Sequence, residues 1–191
     1  MNNIPVRPRP QSPPPRTPHI VDGYAVMDVF QECLEAGRHC RAKGARRVVW
    51  LTPEIPLEND DFEAYSAGFA AAGPHVWLRK NRLDKKTLAA IFPDGPVGVS
   101  AHQQFLVELD AFARKEGLVH GRDYFLFCRD THVTRKHPEI TMNLIKYDYP
   151  SMGSTAAHVL DGLLRGEPDL DPRIKLAPKI LEHDKKQTRR L

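Results

Sequence analysis

Little in this sequence points to a membrane, an extracellular scaffold or a familiar enzyme. Its apolar runs are only a few residues long, well short of the ~20 needed to cross a bilayer as a helix. No apolar core follows the basic residues near the amino terminus, so no secretory signal is expected. Cysteine is scarce: Cys33, Cys40 and Cys128 make an odd count without CxxC spacing. That excludes a disulfide framework and suits a reducing cytoplasm. The phosphate-binding patterns GxGxxG and GxxxxGK[ST] are missing, as are GxSxG and HExxH, which removes the usual nucleotide, hydrolase and zinc-protease signatures. Ser100, His102 and Asp110 are triad residue types in an order and spacing that no such signature uses. His132 and His137, flanked by Asp130 and Glu139, fit no zinc spacing and hold Arg135 and Lys136 between them. Neither an enzyme, a cofactor nor a metal site is expected.

What is present is unevenly placed. Seven of the 17 prolines fall within residues 1–18. Each fixes φ and removes an amide donor, so this Pro/Arg-rich stretch is expected to be a disordered leader. Of the net charge of +4, residues 1–21 carry +3 and the basic tail 183–191 another +3, which leaves −2 for the span 22–182. Basic ends on a mildly acidic body add nonspecific attraction to phosphate at most; they do not make a nucleic-acid-binding face.

Between the ends, short β-rich runs alternate with helical periods. Tyr24, Met27, Phe30 and Leu34 recur at helical spacing through roughly Lys43, with Asp22 as a cap and Gly37 as a weak point. Strands are expected near 47–52, 75–78, 97–101 and 124–128, and helices over 62–72, 85–92 and 104–116. After Cys128 the rhythm breaks into a polar loop, followed by an extended stretch at 140–148 and a helix at 151–165. An edge-like strand at 173–176 and a short extended piece at 179–181 close the order. Strand and helix alternating at crossover length predict an α/β fold with a parallel sheet covered on both faces.

In such sheets, function collects beyond the carboxyl ends of the strands. Those positions hold Thr52 and Glu54, Arg79 and Asn81, His102 to Gln104, and Arg129 to Thr131. They suit either a cleft for a small polar molecule or an ordinary wet surface.

At these strand ends the sequence resembles a known family. IKYDYPSMGSTAAHVLDGLLRGEP at 145–168, the strongest match, IKLAPKILEHD at 174–184 and VDGYAVMDVFQECLEAGRHCRAKGARRVVWL at 21–51 are similar to segments of the lactose/galactose-repressor (LacI/GalR) family of bacterial transcription regulators. YSAGF at 65–69, VSAHQQ at 99–104 and FLFCRDT at 125–131 sit where that family has its arginine-x-x-glycine-phenylalanine, alanine-asparagine-aspartate and aspartate-aspartate motifs. The resemblance implies a type I periplasmic-binding-protein-like half-domain over residues 19–182. Residues 22–145 would form the second subdomain, and 146–182 the return segment of the first. No helix-turn-helix precedes it, so direct sequence-specific DNA binding is not expected of this chain.

By the same resemblance, a small-molecule effector would touch Tyr65, His102, Gln103, Arg129 and Asp130. Three of the family's effector-contacting residues are replaced here by Tyr65, His102 and Arg129. A guanidinium where the family has a carboxylate offers donors and no acceptor, which points to an acidic ligand such as a sugar acid or sugar phosphate. The expected role is effector sensing within a transcription regulator. A ligand-free dimerisation or scaffolding module is the alternative. The late-helix stripe of Met152, Ala156, Val159, Leu160 and Leu163 would lack most of its partners, predicting an exposed apolar face and self-association or a protein partner.

Overall fold

The computed structural model describes residues 24–54, 59–92, 95–132, 134–167, 170–171 and 173–183. The proline-rich leader and most of the basic tail lie outside them. The elements run β1 (Tyr24–Met27), α1 (Val29–Ala42), β2 (Arg47–Thr52), α2 (Asn59–Ala72), β3 (His75–Arg79), α3 (Lys85–Ile91), β4 (Val97–Ala101), α4 (Leu106–Lys115), β5 (Tyr124–Arg129), β6 (Asn143–Lys146), α5 (Tyr149–Arg165), β7 (Arg173–Leu176) and β8 (Lys179–Leu181).

The main sheet has the order β3-β2-β4-β5-β6-β8, parallel throughout except for the antiparallel edge strand β8. The four strands expected to pair in parallel do so. Alternation along β2 divides the core between two faces. Val49 and Leu51 join Val99, Leu126, Leu106 and Leu109 beneath α3 and α4. Val48 and Trp50 join Phe127, Phe69, Cys33 and Cys40 beneath α1 and α2. Each fully buried large side chain contributes roughly 1.5–3 kcal/mol of transfer free energy.

Gly37, expected to weaken α1, instead lets that helix approach α2: a Cβ there would run into the Cβ of Ala72. Tyr24–Met27, expected to open a helix, is a strand in parallel register with Arg173–Leu176. Helix α1 starts after it, capped by Asp28, whose carboxylate accepts from Gln31 N at 3.0 Å; Asp22 lies outside the described residues. Within the stretch 140–148 only Asn143–Lys146 is a strand, since Ile140 and Met142 are buried from a loop. The helix expected over 104–116 opens as a 3-10 turn at Gln103–Phe105 and becomes α-helical at Leu106.

Helix α5 begins two residues early because Asp148 caps it and Pro150 fits its first turn. It ends at Gly166, whose φ of 69° closes the helix in the left-handed region. α5 packs on β1, so β1, α5 and β7 make a small second unit beside the main sheet. Of the five residues in the expected apolar stripe only Val159 is buried. Met152 is half-buried, and Ala156, Leu160 and Leu163 are exposed.

Candidate functional site

From β2 the chain passes to the edge strand β3 and then returns to the other side of β2 as β4. Parallel sheets open a crevice where the winding reverses in this way, outside the carboxyl ends of the strands. A cavity of about 210 Å³ lies there. Its polar lining comes from Thr52 after β2, Ser100 to Gln103 at the end of β4, Arg129 and Thr131 after β5, Glu32 on α1 and Tyr65 on α2; Trp50, Phe69 and Ile145 are among its apolar walls.

Its centre is an ion pair between two elements distant in sequence. Arg129 Nε donates to Glu32 Oε2 at 2.8 Å, and Arg129 Nη2 donates to the Tyr65 hydroxyl at 2.9 Å. The Tyr147 hydroxyl donates to the same Glu32 oxygen at 2.8 Å and also reaches the Asp28 carbonyl at 3.3 Å. Burial works against the guanidinium's charge, but the adjacent Glu32 carboxylate outweighs it and holds Arg129 above the usual arginine range. Burial likewise pushes the Tyr65 phenol up to about 12, against the pull of Arg129. Both side chains therefore keep their ordinary protonation states at neutral pH.

The other expected residues separate. His102, at the end of β4, has its imidazole pushed below the ordinary histidine value, first by burial and then by Arg129. It is therefore neutral at pH 7 and adds no positive charge. Gln103 Oε1 accepts from the Thr131 hydroxyl at 2.6 Å, tying the β4 and β5 loops together. Asp130, expected at the same site, is not among the residues that line the cavity. Its carboxylate is gripped by Arg135 at 3.0 and 3.1 Å, because alternation along the strand turns the residue after Arg129 to the other side. The structure thus brings Tyr65, His102, Gln103 and Arg129 to one cavity and leaves Asp130 out.

Sequence reasoning missed Glu32, Trp50 and Tyr147. Glu32 had left a signal, since it lies on the helical face that carries Val29, Cys33 and Ala36, all buried, and a carboxylate there needs a partner. Among the described residues, no group of three or more His, Cys, Asp or Glu could hold a metal ion. His137 pairs instead with Glu139 at 3.0 Å.

No protein-family model and no curated protein sequence matches the chain; solved structures do. A LacI transcriptional regulator from Lactobacillus brevis superposes with a TM-score of 0.61 at 20% identity, over 82% of this chain and 63% of that one. The fold is that of a LacI-type sensing domain. A LacI-family regulator from Arthrobacter sp. FB24, solved in complex with lactose, gives 0.61 at 14% identity, over 83% of this chain and 64% of its own. The regulator CcpA of Lactococcus lactis gives 0.60 at 12% identity, over 84% and 63%. The chain thus spans under two thirds of the length of these LacI-type regulators. Like their sensing domains it is a periplasmic-binding-protein-like, mostly parallel sheet flanked by helices.

Proposed function

We propose that this chain is the effector-sensing part of a LacI-like transcription regulator in the cytoplasm, binding a small molecule in the cavity at the ends of β2, β4 and β5. The supporting observation is the convergence there of Tyr65, Arg129 and Glu32 in one part-buried network beside an open volume. A charge pair drawn from α1 and β5 is costly to bury and packing alone does not require it. Tyr65, His102, Gln103 and Arg129 are the proposed ligand contacts. No helix among the described residues is long and apolar enough to cross a membrane.

Arg129 already has a carboxylate at 2.8 Å and His102 is neutral, so the pocket carries no net positive charge to attract a sugar acid. It favours a ligand without net charge. About 210 Å³ is below the usual range of roughly 300–1,000 Å³ for drug-sized ligands, which limits that ligand to a compact molecule.

Calorimetry with sugars, sugar acids and amino acids tests this, using Trp50 fluorescence as a second readout because that ring lines the cavity. At least one compact compound should bind, and Ser100→Phe, which fills the cavity from β4, should abolish binding while the chain still melts cooperatively. Binding unaffected by Ser100→Phe would move the ligand elsewhere. A silent panel would favour the scaffolding alternative, for which the exposed leucines of α5 speak.

A further inference from the structure

The ion pair in the cavity uses only part of its hydrogen-bonding capacity. Glu32 Oε2 receives both bonds made to that carboxylate, from Arg129 Nε and from the Tyr147 hydroxyl. Among the described residues, nothing bonds to Glu32 Oε1. Arg129 spends Nε on Glu32 and Nη2 on Tyr65, and Nη1 has no partner among the described residues. Neither spare atom belongs to the buried polar atoms that lack a partner, so both remain accessible, and both residues line the cavity. One cavity therefore offers an anionic acceptor on Glu32 and a cationic donor on Arg129, the two partners of a single salt bridge.

The charges discriminate between ligand classes. A simple acid would meet Arg129 but place a second anion beside Glu32. A simple amine would do the reverse. A sugar diol can bond to both atoms, yet it leaves each buried charge without a second counter-charge in a medium where that matters. A zwitterion gives each side chain an opposite charge and leaves the site neutral. When its two charged groups sit on one carbon, a compact ligand can present one to each partner of the salt bridge. Part of the remaining wall is apolar: Met27, Leu51, Phe69, Ile145 and the Trp50 ring can take a hydrocarbon side chain.

We propose that the cavity binds an α-amino acid with an apolar side chain, its carboxylate on Arg129 Nη1 and its ammonium on Glu32 Oε1. The assignment rests on the cavity being a ligand site. It goes further in naming the ligand's chemistry and in giving Glu32 a direct contact.

Calorimetry on the full chain at neutral pH separates the two levels. The probes are L-leucine, L-valine and L-phenylalanine, leucine's two halves (4-methylpentanoate without the ammonium, 3-methylbutylamine without the carboxylate), D-galactose and D-gluconate. At least one amino acid should bind, and each half should bind about tenfold or more weakly than leucine, the scale of one lost charge-assisted hydrogen bond. Glu32→Gln should weaken leucine about tenfold or more without weakening 4-methylpentanoate, which has no ammonium to lose. A merely structural Glu32 would weaken both alike. Equal binding of leucine and its halves would overturn the proposal on the unmodified protein, whether or not Glu32→Gln folds. Binding of galactose or gluconate with all amino acids silent would overturn it while sparing the cavity as a ligand site. Silence from every probe would overturn both.

Discussion

The six-stranded sheet and the β1–α5–β7 unit are built from the same kinds of element, yet they are stabilised very differently. β2, β4 and β5 each pair on both edges, and helices cover both faces of the sheet. Among the described residues, β1 and β7 have one partner each. Helix α5 buries Val159 and Gly162 toward the unit and leaves Leu160, Leu163 and Leu164 at 48%, 37% and 73% exposure. Its local design is sound: an aspartate cap, proline in the first turn and glycine at the end. A well-terminated helix on a two-stranded sheet still lacks the third layer that would bury its outer face, and isolated strand pairs are marginal in water. Helix-end signals define where an element starts and stops. Burial depends on how many neighbours the fold supplies.

The largest contrast should come from truncating one side chain in each region. Phe127, fully buried on the α1–α2 side of the sheet, should cost about 3–5 kcal/mol when changed to alanine. Leu164→Ala should stay within about 0.5 kcal/mol. Urea unfolding followed by circular dichroism measures both. A Leu164 cost near that of Phe127 would mean that α5 is covered in solution and would erase the distinction between the regions.

A middle-sized effect should appear in association. Replacing Leu160, Leu163 and Leu164 together by glutamine removes most of the apolar outer face of α5 while keeping good helix formers. Unfolding free energy should change by no more than about 1 kcal/mol, because little buried area is lost. Sedimentation velocity at rising concentration should show self-association in the natural chain and less of it in the triple variant. Identical sedimentation of a monomeric pair would show that the exposed leucines do not drive contact.

The same comparison shows what could be read before any coordinates. The four strands β2 to β5 were legible because each is a short β-branched or aromatic run between turn residues, and in β2, β4 and β5 burial on both faces makes such runs continuous. β1 was not: Tyr24 and Met27 fit a helical period as well as a strand, and only pairing with Arg173–Leu176 settles the matter. The cavity was half legible. Strand-end geometry led to His102, Gln103 and Arg129, and the family resemblance to Tyr65, but neither could show that Asp130 would turn to Arg135. Nor could either show that Glu32, 97 positions away from Arg129, would come to neutralise it. Long-range pairing of this kind leaves no spacing in the sequence.

The smallest predicted effect concerns acid sensitivity, and it belongs to the larger unit. His39 on α1 is held below the ordinary histidine value by burial, against the pull of Glu182 and with that of Lys43. His102 is lowered by burial and by Arg129. A histidine whose folded pKa lies below its unfolded value of about 6.5 binds its proton more readily in the unfolded chain. The stability it allows is therefore complete above that unfolded value and declines as pH falls through it toward the folded pKa. The carboxylates of Asp84, Asp123, Asp148 and Glu139 are shifted the other way, downward, so their stabilisation is lost only near and below the ordinary carboxylate range. Between about pH 7.5 and 5.5 the histidines should dominate the slope. Thermal melts across that window should show a falling midpoint in the natural chain. His39→Gln with His102→Asn, the asparagine retaining a capping acceptor for the turn at Gln103, should flatten it. An unchanged slope in the double variant would place the acid response outside the main sheet.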